Sequence, residues 1–400
     1  MPEAVIVATG RTPIGRAMKG SLVTCRPDDL AAGVIKAVVA KLPQLDPHLI
    51  EDVIVGCGEP AGEAGYNVAR VAALLAGLDA PGVTVNRYCS SSLQAIRMAT
   101  HAIRAGEGDV FVAAGVEAVS RFHLGVSDIG PHNPAFADAE ARTATRSVKA
   151  GEPWSPPSGL PDVYISMGDT AENVAEFEGI TREEMDEYAA LSQQRAVASQ
   201  ENGFFEREII PVTTPEGMVV TKDDGPRPGT TVEKLAQLQP VFREGGRVTA
   251  GNACPLNDGA AAVIVMSDTR AAELGITPLA RVVSSGLGAL DPEIMGLGPI
   301  EASRQALARA KMTIDDIDLV EINEAFAAQV IPSARHLGIP WDKLNVKGGA
   351  IALGHPFGMT GARIMTTLLN ALEDEDKTFG LETMCIGGGQ GMAMIVERLS

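Results

Sequence analysis

The sequence predicts an α/β fold made of two similar halves, with a loop domain inserted in the chain. Short β-rich segments alternate with helical patterns through residues 5–115, and the same rhythm returns through residues 280–396. The run from Asp109 to Gly115 is almost entirely apolar, which is typical of a strand buried on both faces. Alternating strands and helices favour parallel strand pairing with right-handed crossovers.

Composition restricts the function classes. With 400 residues, 45% of them hydrophobic, the chain can bury a large core, and the net charge of -18 argues against nucleic-acid binding. No apolar run is long enough for a membrane span, and the acidic start lacks the basic region of a signal peptide. Five scattered cysteines fit a reducing compartment, so we expect a cytoplasmic protein.

The first half is predicted to alternate strands and helices up to a helix that follows Cys89. Pro27-Asp28-Asp29 begins the first predicted helix. Apolar residues from Leu93 to Ile103 recur at helical spacing, and Gly106 ends that helix. The other predicted elements are strands at 5–8, 52–56 and 82–85 and helices at 27–40 and 67–75.

Residues 119–250 interrupt this rhythm with clustered prolines and a polar helix pair, one helix opening with a capping box at Thr181–Glu184. We therefore predict an N-terminal half at 1–118 plus about 251–272, a loop or lid domain at 119–250, and a C-terminal half at 273–400. Long insertions in α/β enzymes often carry substrate contacts, although composition alone permits a purely structural role equally well.

The second half repeats the order of the first. The interval from Asp52 to Cys89 and the interval from Asp318 to His355 are both 37 residues long, and each ends in a polar residue at a helix start. A pseudo-twofold packing of the halves would bring these two helix starts together. The predicted elements are strands at 280–284, 318–322, 381–385 and 392–396, and helices at 301–310, 325–336 and after His355 with apolar positions at 364, 368 and 372.

Cys89 is the candidate reactive residue. At a helix start it would face unpaired N–H groups and the positive end of the helix dipole, and both favour the nucleophilic thiolate. A buried structural cysteine is the alternative for a lone residue of this type. No Cys/His spacing indicates a metal site.

Six segments in the same order make the chain similar to the thiolase family over nearly its whole length. They are Val85–Ser91 (VNRYCSS), Thr249–Gly259 (TAGNACPLNDG), Met295–Pro299 (MGLGP), Asn323–Phe326 (NEAF), Gly348–Pro356 (GGAIALGHP) and Cys385–Gly389 (CIGGG). The resemblance implies the thiolase fold, with two duplicated βαβαβαββ halves in five layers plus a loop domain.

The resemblance also implies roles for five residues in CoA-thioester chemistry. Cys89 becomes acylated, His355 activates its thiol, and Cys385 is the acid/base at the α-carbon of the acetyl unit. Asn323 holds a water that forms one oxyanion hole with His355. The backbone N–H groups of Cys89 and Gly387 form the other.

A soft nucleophile, an imidazole near neutrality and two sets of donors are what cleavage of a 3-oxoacyl thioester requires. The implied activity is thus CoA-dependent cleavage of 3-oxoacyl-CoA to acetyl-CoA and a shortened acyl-CoA, as in fatty acid β-oxidation. Acetoacetyl-CoA synthesis from two acetyl-CoA is the alternative. Ser166 occupies a position where short-chain members tend to have histidine, which favours a roomier acyl pocket and the cleavage reaction.

The family's substrate contacts match further positions. Cys254 replaces a family serine that contacts the pantetheine arm. The expected CoA and acyl contacts are Arg227, Ala250, Cys254, Ala325, Phe326, Leu160, Met167 and Met295. We expect CoA and acyl-CoA as substrates, no cofactor or metal, a homodimer or homotetramer, a possible β-oxidation partner enzyme, and no nucleic-acid or membrane partner. The competing class is a non-catalytic thiolase-like carrier. The presence of all four family catalytic residues, Cys89, Asn323, His355 and Cys385, argues against it.

Overall fold

The structure is a computed structural model that describes residues 2–122, 130–148 and 153–400. The strands are β1 (Ala4–Arg11), β2 (Gly15–Arg16), β3 (Asp52–Gly56), β4 (Gly82–Val85), β5 (Val110–Ala118), β6 (Val212–Thr213), β7 (Val219–Val220), β8 (Asn257–Ser267), β9 (Ala280–Ala289), β10 (Leu319–Ile322), β11 (Phe379–Ile386) and β12 (Gln390–Arg398). The helices are α1 (Pro27–Ala40), α2 (Val68–Leu75), α3 (Ser91–Ala105), α4 (Ala137–Ser147), α5 (Met167–Phe177), α6 (Arg182–Glu201), α7 (Val232–Leu235), α8 (Asp268–Leu274), α9 (Gly298–Ala310), α10 (Ala327–Leu337), α11 (Ala350–Leu353) and α12 (Thr360–Asp374).

The two halves contribute equivalent parts of one large sheet. Its strands lie in the order β4-β3-β5-β8-β1-β9-β12-β11-β10. Strand β1 meets its counterpart β9 in the middle, where Ile6 pairs with Ala280. At the far edge a bridge between Val320 and Leu344 takes the place that β4 holds in the first half. The strand order therefore bears out the predicted duplication.

The predicted parallel pairing is only partly correct. Strand β3 runs parallel to β4 and β5, and β10 runs parallel to β11. The pairs β1–β8, β5–β8, β1–β9, β9–β12 and β11–β12 are antiparallel. A tight turn reverses the chain between β11 and β12, and β8 enters the sheet from the inserted segment. Neither β12 nor β8 therefore follows a helical crossover of the kind that joins parallel strands.

Helices on three levels sandwich the sheet halves and give five layers. One apolar cluster joins α1 and α2 to the outer face of the first half, and a second joins α9 and α10 to the outer face of the other half. A third cluster holds α3 and α12 between the halves. The capping box that opens α6 is present, with Thr181 and Glu184 bonded reciprocally. No helix in the described ranges is long and apolar enough to cross a membrane.

The starts of α3 and α12 meet in the middle layer, as the repeat predicts. Ser92 Oγ accepts a hydrogen bond from the backbone N–H of Ala362 at 2.9 Å. A side chain at Gly361 would overlap the backbone of Leu93, so the two helices approach as closely as glycine permits. This contact places the segments that carry Cys89 and His355 side by side.

Candidate active site

Cys89 lies in a tight turn that leads directly into α3. The turn spans Tyr88–Ser90, and Tyr88 has a left-handed backbone conformation with φ of 44°. The Ser91 hydroxyl donates to the Tyr88 carbonyl at 2.7 Å and accepts from the Arg87 N–H at 2.9 Å, which holds the turn in shape. The Cys89 side chain is buried.

Burial dominates the electrostatics of Cys89. It raises the pKa of the thiol to about 12, although backbone N–H groups of Gly387 and of Cys89 itself donate to the sulfur and lower the pKa. The sequence-based expectation of a lowered pKa is therefore wrong for the free enzyme, because desolvation of the thiolate outweighs the N–H donors. A base must remove the proton when the sulfur attacks.

Hydrogen bonds to both of its ring nitrogens fix the imidazole of His355. The Thr360 hydroxyl donates its proton to the Pro356 carbonyl at 2.8 Å. Its oxygen, 2.6 Å from His355 Nδ1, therefore accepts a hydrogen bond from that nitrogen, so Nδ1 carries the ring proton. Nε2 is then the basic nitrogen, and Asn323 Nδ2 lies 3.3 Å from it. Asn257 Oδ1 accepts from the His355 backbone N–H at 3.0 Å and anchors the main chain.

The imidazole of His355 is neutral at rest. Burial, followed by the positive charge of the Arg363 guanidinium, lowers its pKa to about 3. A neutral thiol and a neutral imidazole can exchange one proton without net charge change in a buried site. That pairing suits a base that accepts the thiol proton during attack and later returns it.

Three of the five cysteines lie within electrostatic reach of one another at this site. Burial raises the pKa of Cys385 well above its usual value, with further contributions from Cys89 and Cys254. Burial also raises the pKa of Cys254, followed by the effect of Cys89. Cys385 is fully buried at the end of β11, whereas Cys254 is only half-buried. Cys25 and Cys57, which match no motif, are buried elsewhere.

Asn323 contacts His355, and Gly387 contacts Cys89. Asn323 is held through its backbone, since its N–H donates to the Thr383 carbonyl at 3.0 Å and its carbonyl accepts from Gln329 at 2.6 Å. Among the residues that the structure describes, none hydrogen-bonds to its buried side-chain oxygen, which is available to a water or substrate group. The α-carbon of Gly387 faces the ring of Tyr88.

A cleft of about 350 Å³ leads to Cys254. Among the predicted CoA contacts, Arg227, Ala250 and Cys254 line it. The Arg227 N–H donates to Gln193 Oε1 at 2.8 Å, which fixes the loop at the outer end of the cleft. Phe242 forms part of the wall, and its ring packs edge-on against Phe326 at 6.2 Å.

The remaining predicted contacts lie behind or beside the cleft. The Ala325 carbonyl accepts from the Cys254 N–H at 3.0 Å, so Ala325 supports the wall from behind. Met167 approaches Gly387, and Met295 is buried in the cluster that also contains Cys385. Leu160 is 52% exposed and is not among the residues that line the cleft.

Sequence reasoning missed three residues that shape the site: Thr360, Gln193 and Phe242. Thr360 had a usable signal, because it starts the helix that follows His355. Gln193 and Phe242 belong to the inserted segment, where no motif marked them. Among the described residues there is no group of three or more metal-ligating side chains placed to hold an ion.

Comparison with known proteins identifies the family of the chain. The profile of the thiolase N-terminal domain matches residues 4–269, and that of the thiolase C-terminal domain matches residues 276–398. The chain is 45% identical to the 3-ketoacyl-CoA thiolase of Saccharophagus degradans (strain 2-40 / ATCC 43961 / DSM 17024), covering 99% of this chain and 98% of the relative. It is also 45% identical to the 3-oxoadipyl-CoA/3-oxo-5,6-dehydrosuberyl-CoA thiolase of Escherichia coli (strain K12), covering all of both chains.

The fold has solved counterparts. The dimeric peroxisomal thiolase of Saccharomyces cerevisiae superposes with a TM-score of 0.89 at 36% identity, covering 100% of this chain and 98% of that one. Family profiles over both halves, full-length relatives and a matching fold lead to one conclusion. The chain belongs to the thiolase family and is an acyltransferase.

Proposed function

We propose that this thiolase cleaves 3-oxoacyl-CoA with CoA, giving acetyl-CoA and a shortened acyl-CoA through an acyl-Cys89 intermediate. The observation that carries the proposal is the arrangement at the meeting helix starts. The Cys89 sulfur accepts a hydrogen bond from the Gly387 N–H. The segment beside it carries the His355 imidazole, whose tautomer is fixed by Thr360.

In the first half-reaction, the Cys89 sulfur attacks the 3-keto carbon while the thiol proton passes to His355 Nε2. The former keto oxygen becomes an oxyanion, which accepts hydrogen bonds from the backbone N–H groups of Cys89 and Gly387. When the bond between C2 and C3 breaks, its electron pair leaves as the enolate of acetyl-CoA, which takes the proton of Cys385. Asn323 and His355 stabilise the enolate oxygen.

In the second half-reaction, the Cys385 thiolate removes the proton of the incoming CoA thiol. The CoA sulfur attacks the acyl-Cys89 carbonyl, and the oxyanion again accepts the two backbone N–H groups. Cys89 leaves as a thiolate and recovers its proton from His355. Both cysteines and the imidazole end in their starting protonation states, so no other cofactor or metal is required.

Acetoacetyl-CoA synthesis would run the same steps in reverse. Two observations support cleavage instead. Ser166, at the position where short-chain members of the family tend to have histidine, is small and caps α5, since its hydroxyl accepts the Asp169 N–H at 3.2 Å and donates to the Asp169 carboxylate at 2.8 Å. The two relatives at 45% identity are named as thiolases of 3-ketoacyl-CoA and of 3-oxoadipyl-CoA and 3-oxo-5,6-dehydrosuberyl-CoA.

The test is intact mass spectrometry after incubation with 3-oxoacyl-CoAs of several chain lengths. We expect an acyl adduct on the wild type that disappears when CoA is added, and no adduct on Cys89→Ala. Cys25→Ala, which removes a buried thiol outside the site, is the matched control and should acylate normally. Absence of an adduct at every chain length would overturn the proposal in favour of a carrier role.

The same proposal assigns the CoA contacts. Arg227 would lie near the adenine end, Ala250, Cys254, Ala325 and Phe326 would line or support the pantetheine path, and Leu160, Met167 and Met295 would face the acyl side. These residues belong to the loop domain at 119–250 and to the flanking parts of the two halves, at 1–118 with about 251–272 and at 273–400.

A homodimer or a homotetramer completes the proposal. Strand β4 is an edge strand with half-buried residues, and the neighbouring side chains of Tyr66, Leu74 and Leu75 are exposed. Pairing of two β4 edges would cover this apolar surface. Analytical ultracentrifugation distinguishes the two assemblies. A cytoplasmic location and a β-oxidation partner enzyme remain part of the proposal, the first supported by five free cysteines.

A further inference from the structure

Glu117 is a fully buried carboxylate that the mechanism above does not use. It lies near the end of β5 and is 1% exposed. Its Oε2 accepts the backbone N–H groups of Gly58 and Gly358, both at 2.8 Å. Its Oε1 accepts the N–H of Glu59 at 3.3 Å and the thiol of Cys57 at 3.5 Å. One side chain therefore joins the loop after β3 to the loop before α12.

The loop before α12 fits tightly against the strand ends that flank Glu117. A methyl group added to Gly358 would overlap the carbonyl oxygens of Val116 and Gly56, and one added to Gly115 would overlap the Gly358 carbonyl. The close approach is therefore possible only with glycine. The position of this loop is set by backbone contact and by the two short hydrogen bonds to one carboxylate oxygen.

The loop before α12 follows one proposed catalytic residue directly, and the loop after β3 contacts the turn that carries the other. Gly358 follows His355 by three residues, and the ring of the intervening Phe357 packs edge-on against the imidazole at 5.2 Å. On the other side, the α-carbon of Gly58 faces the carbonyl of Tyr88, the residue before Cys89. Glu117 thus links the segment that carries the imidazole to a loop that contacts the turn of the sulfur.

We propose that Glu117 is a positioning residue that sets the His355 imidazole relative to the Cys89 sulfur. The inference rests on the proposed roles of Cys89 and His355. A carboxylate that receives several N–H donors in a buried site holds them more firmly than a neutral acceptor would. Displacing a catalytic group by about 1 Å can cost on the order of 10²-fold in rate, so a fixed spacing between the two loops has a direct kinetic value.

The alternative is that Glu117 only stabilises the fold. A matched control exists in Glu172, which is equally buried and accepts backbone N–H groups of Arg247 at 2.9 Å and Val248 at 2.8 Å within the inserted segment. Both carboxylates satisfy main-chain donors, but of the two only Glu117 joins the loop that follows His355 to the loop that contacts the Cys89 turn. Glu172→Gln therefore reports the cost of altering a buried carboxylate alone.

The experiment compares wild type, Glu117→Gln, Glu117→Ala and Glu172→Gln by three measurements. These are the rate of Cys89 alkylation by iodoacetamide, the values of kcat and KM for a 3-oxoacyl-CoA, and the urea midpoint. Glutamine keeps one oxygen for Gly58 and Gly358 but presents N–H donors to Glu59, so we expect alkylation and kcat to fall about 10-fold. Alanine should lower both about 100-fold, with KM within about twofold of wild type.

The outcomes separate the two levels of inference. If wild-type Cys89 is not alkylated in preference to the other cysteines, the proposed function itself fails. If wild-type Cys89 reacts selectively but the folded Glu117→Gln variant reacts as fast and has the same kcat, the positioning role is overturned. Equal kinetic losses in Glu172→Gln would also overturn it. Should Glu117→Ala fail to fold, the glutamine variant decides.

Discussion

At the scale of single residues, Thr360 decides which nitrogen of His355 acts as the base. Its hydroxyl accepts from Nδ1 and donates to the Pro356 carbonyl, so Nε2 stays unprotonated. Thr360→Val would leave a buried N–H unpaired, which costs about 1–3 kcal/mol. We expect kcat to fall by about 10-fold to 100-fold with KM nearly unchanged, and Thr360→Ser to restore most of it. Wild-type kcat in Thr360→Val would contradict this assignment.

A second residue-scale prediction concerns pH. Burial raises the pKa of Glu117 to about 7, against the lowering effect of N–H groups from Gly358, Gly58 and Glu59. Of the groups that face Glu117, the Cys57 thiol has a pKa well above its usual value and stays neutral, while Glu59 contributes a negative charge. The ionised form exists above the pKa, so kcat should decrease as pH falls through about 7.

The control for this decrease of kcat at acidic pH is Glu117→Gln, whose side chain cannot titrate. Its kcat should be low but flat over the same range, since the pKa values of His355 and Cys89, about 3 and about 12, lie far outside it. Steady-state kcat measured between about pH 5.5 and about pH 9 checks the prediction. An acid limb that persists in Glu117→Gln would mean that another group causes it.

The motifs point to the proposed reacting groups but not to the residues that hold them. Cys89, Asn323, His355 and Cys385 stand in segments whose local pattern is recognisable. Glu117 acts on Gly358, which is 241 residues away in the chain. A contact of that kind leaves no trace in spacing or composition, because only the packed halves bring the two residues together.

At the scale of elements, the start of α12 depends on a side chain from α3. Ser92 Oγ accepts the Ala362 N–H, one of the donors that a helix start leaves unpaired. Ser92→Ala should lower the free energy of unfolding by about 1–2 kcal/mol, as loss of a helix cap does. Thr366→Val is the comparison, because within the described part of the chain that hydroxyl donates to the Ala362 carbonyl alone, and its loss leaves no donor unpaired. Urea titration measures both, and equal effects would contradict the capping role.

Element positions were more predictable than element neighbours. Periodicity placed α12 and the strand β3 correctly, because apolar spacing reflects which face a local segment buries. Strand direction depends on which segments pair, and β8 pairs antiparallel with both β1 and β5 only after the inserted segment has returned the chain to the sheet. The 37-residue interval found in both halves indicated the duplication, but it carried no information on where the chain rejoins the sheet after the inserted segment.

At the scale of the whole molecule, the layer between the two halves contains buried charge as well as apolar packing. Glu321 and Glu382 are directly paired on the parallel strands β10 and β11, and both are nearly inaccessible. Arg363 on α12 lowers the pKa of both carboxyls, but burial dominates. It raises the pKa of Glu321 to about 8 and that of Glu382 well above its usual value. Two adjacent carboxylates with one guanidinium favour retention of a proton near neutral pH.

Retained protons make the stability of the fold depend on pH. In the unfolded chain these carboxyls lose their protons near pH 4.5, whereas folded Glu321 keeps its proton up to about pH 8. Between those values the native state binds more protons, so the free energy of unfolding should fall as pH rises, by up to ~1.4 kcal/mol per pH unit for each retained proton. Glu321→Gln, which mimics the protonated form, should flatten this dependence. Glu184→Gln should leave the slope unchanged, because the pKa of Glu184 is lowered to about 2 and lies below this window. Urea unfolding at several pH values measures each slope. If the free energy of unfolding depends on pH equally in wild type and in Glu321→Gln, then folded Glu321 does not retain a proton in this range.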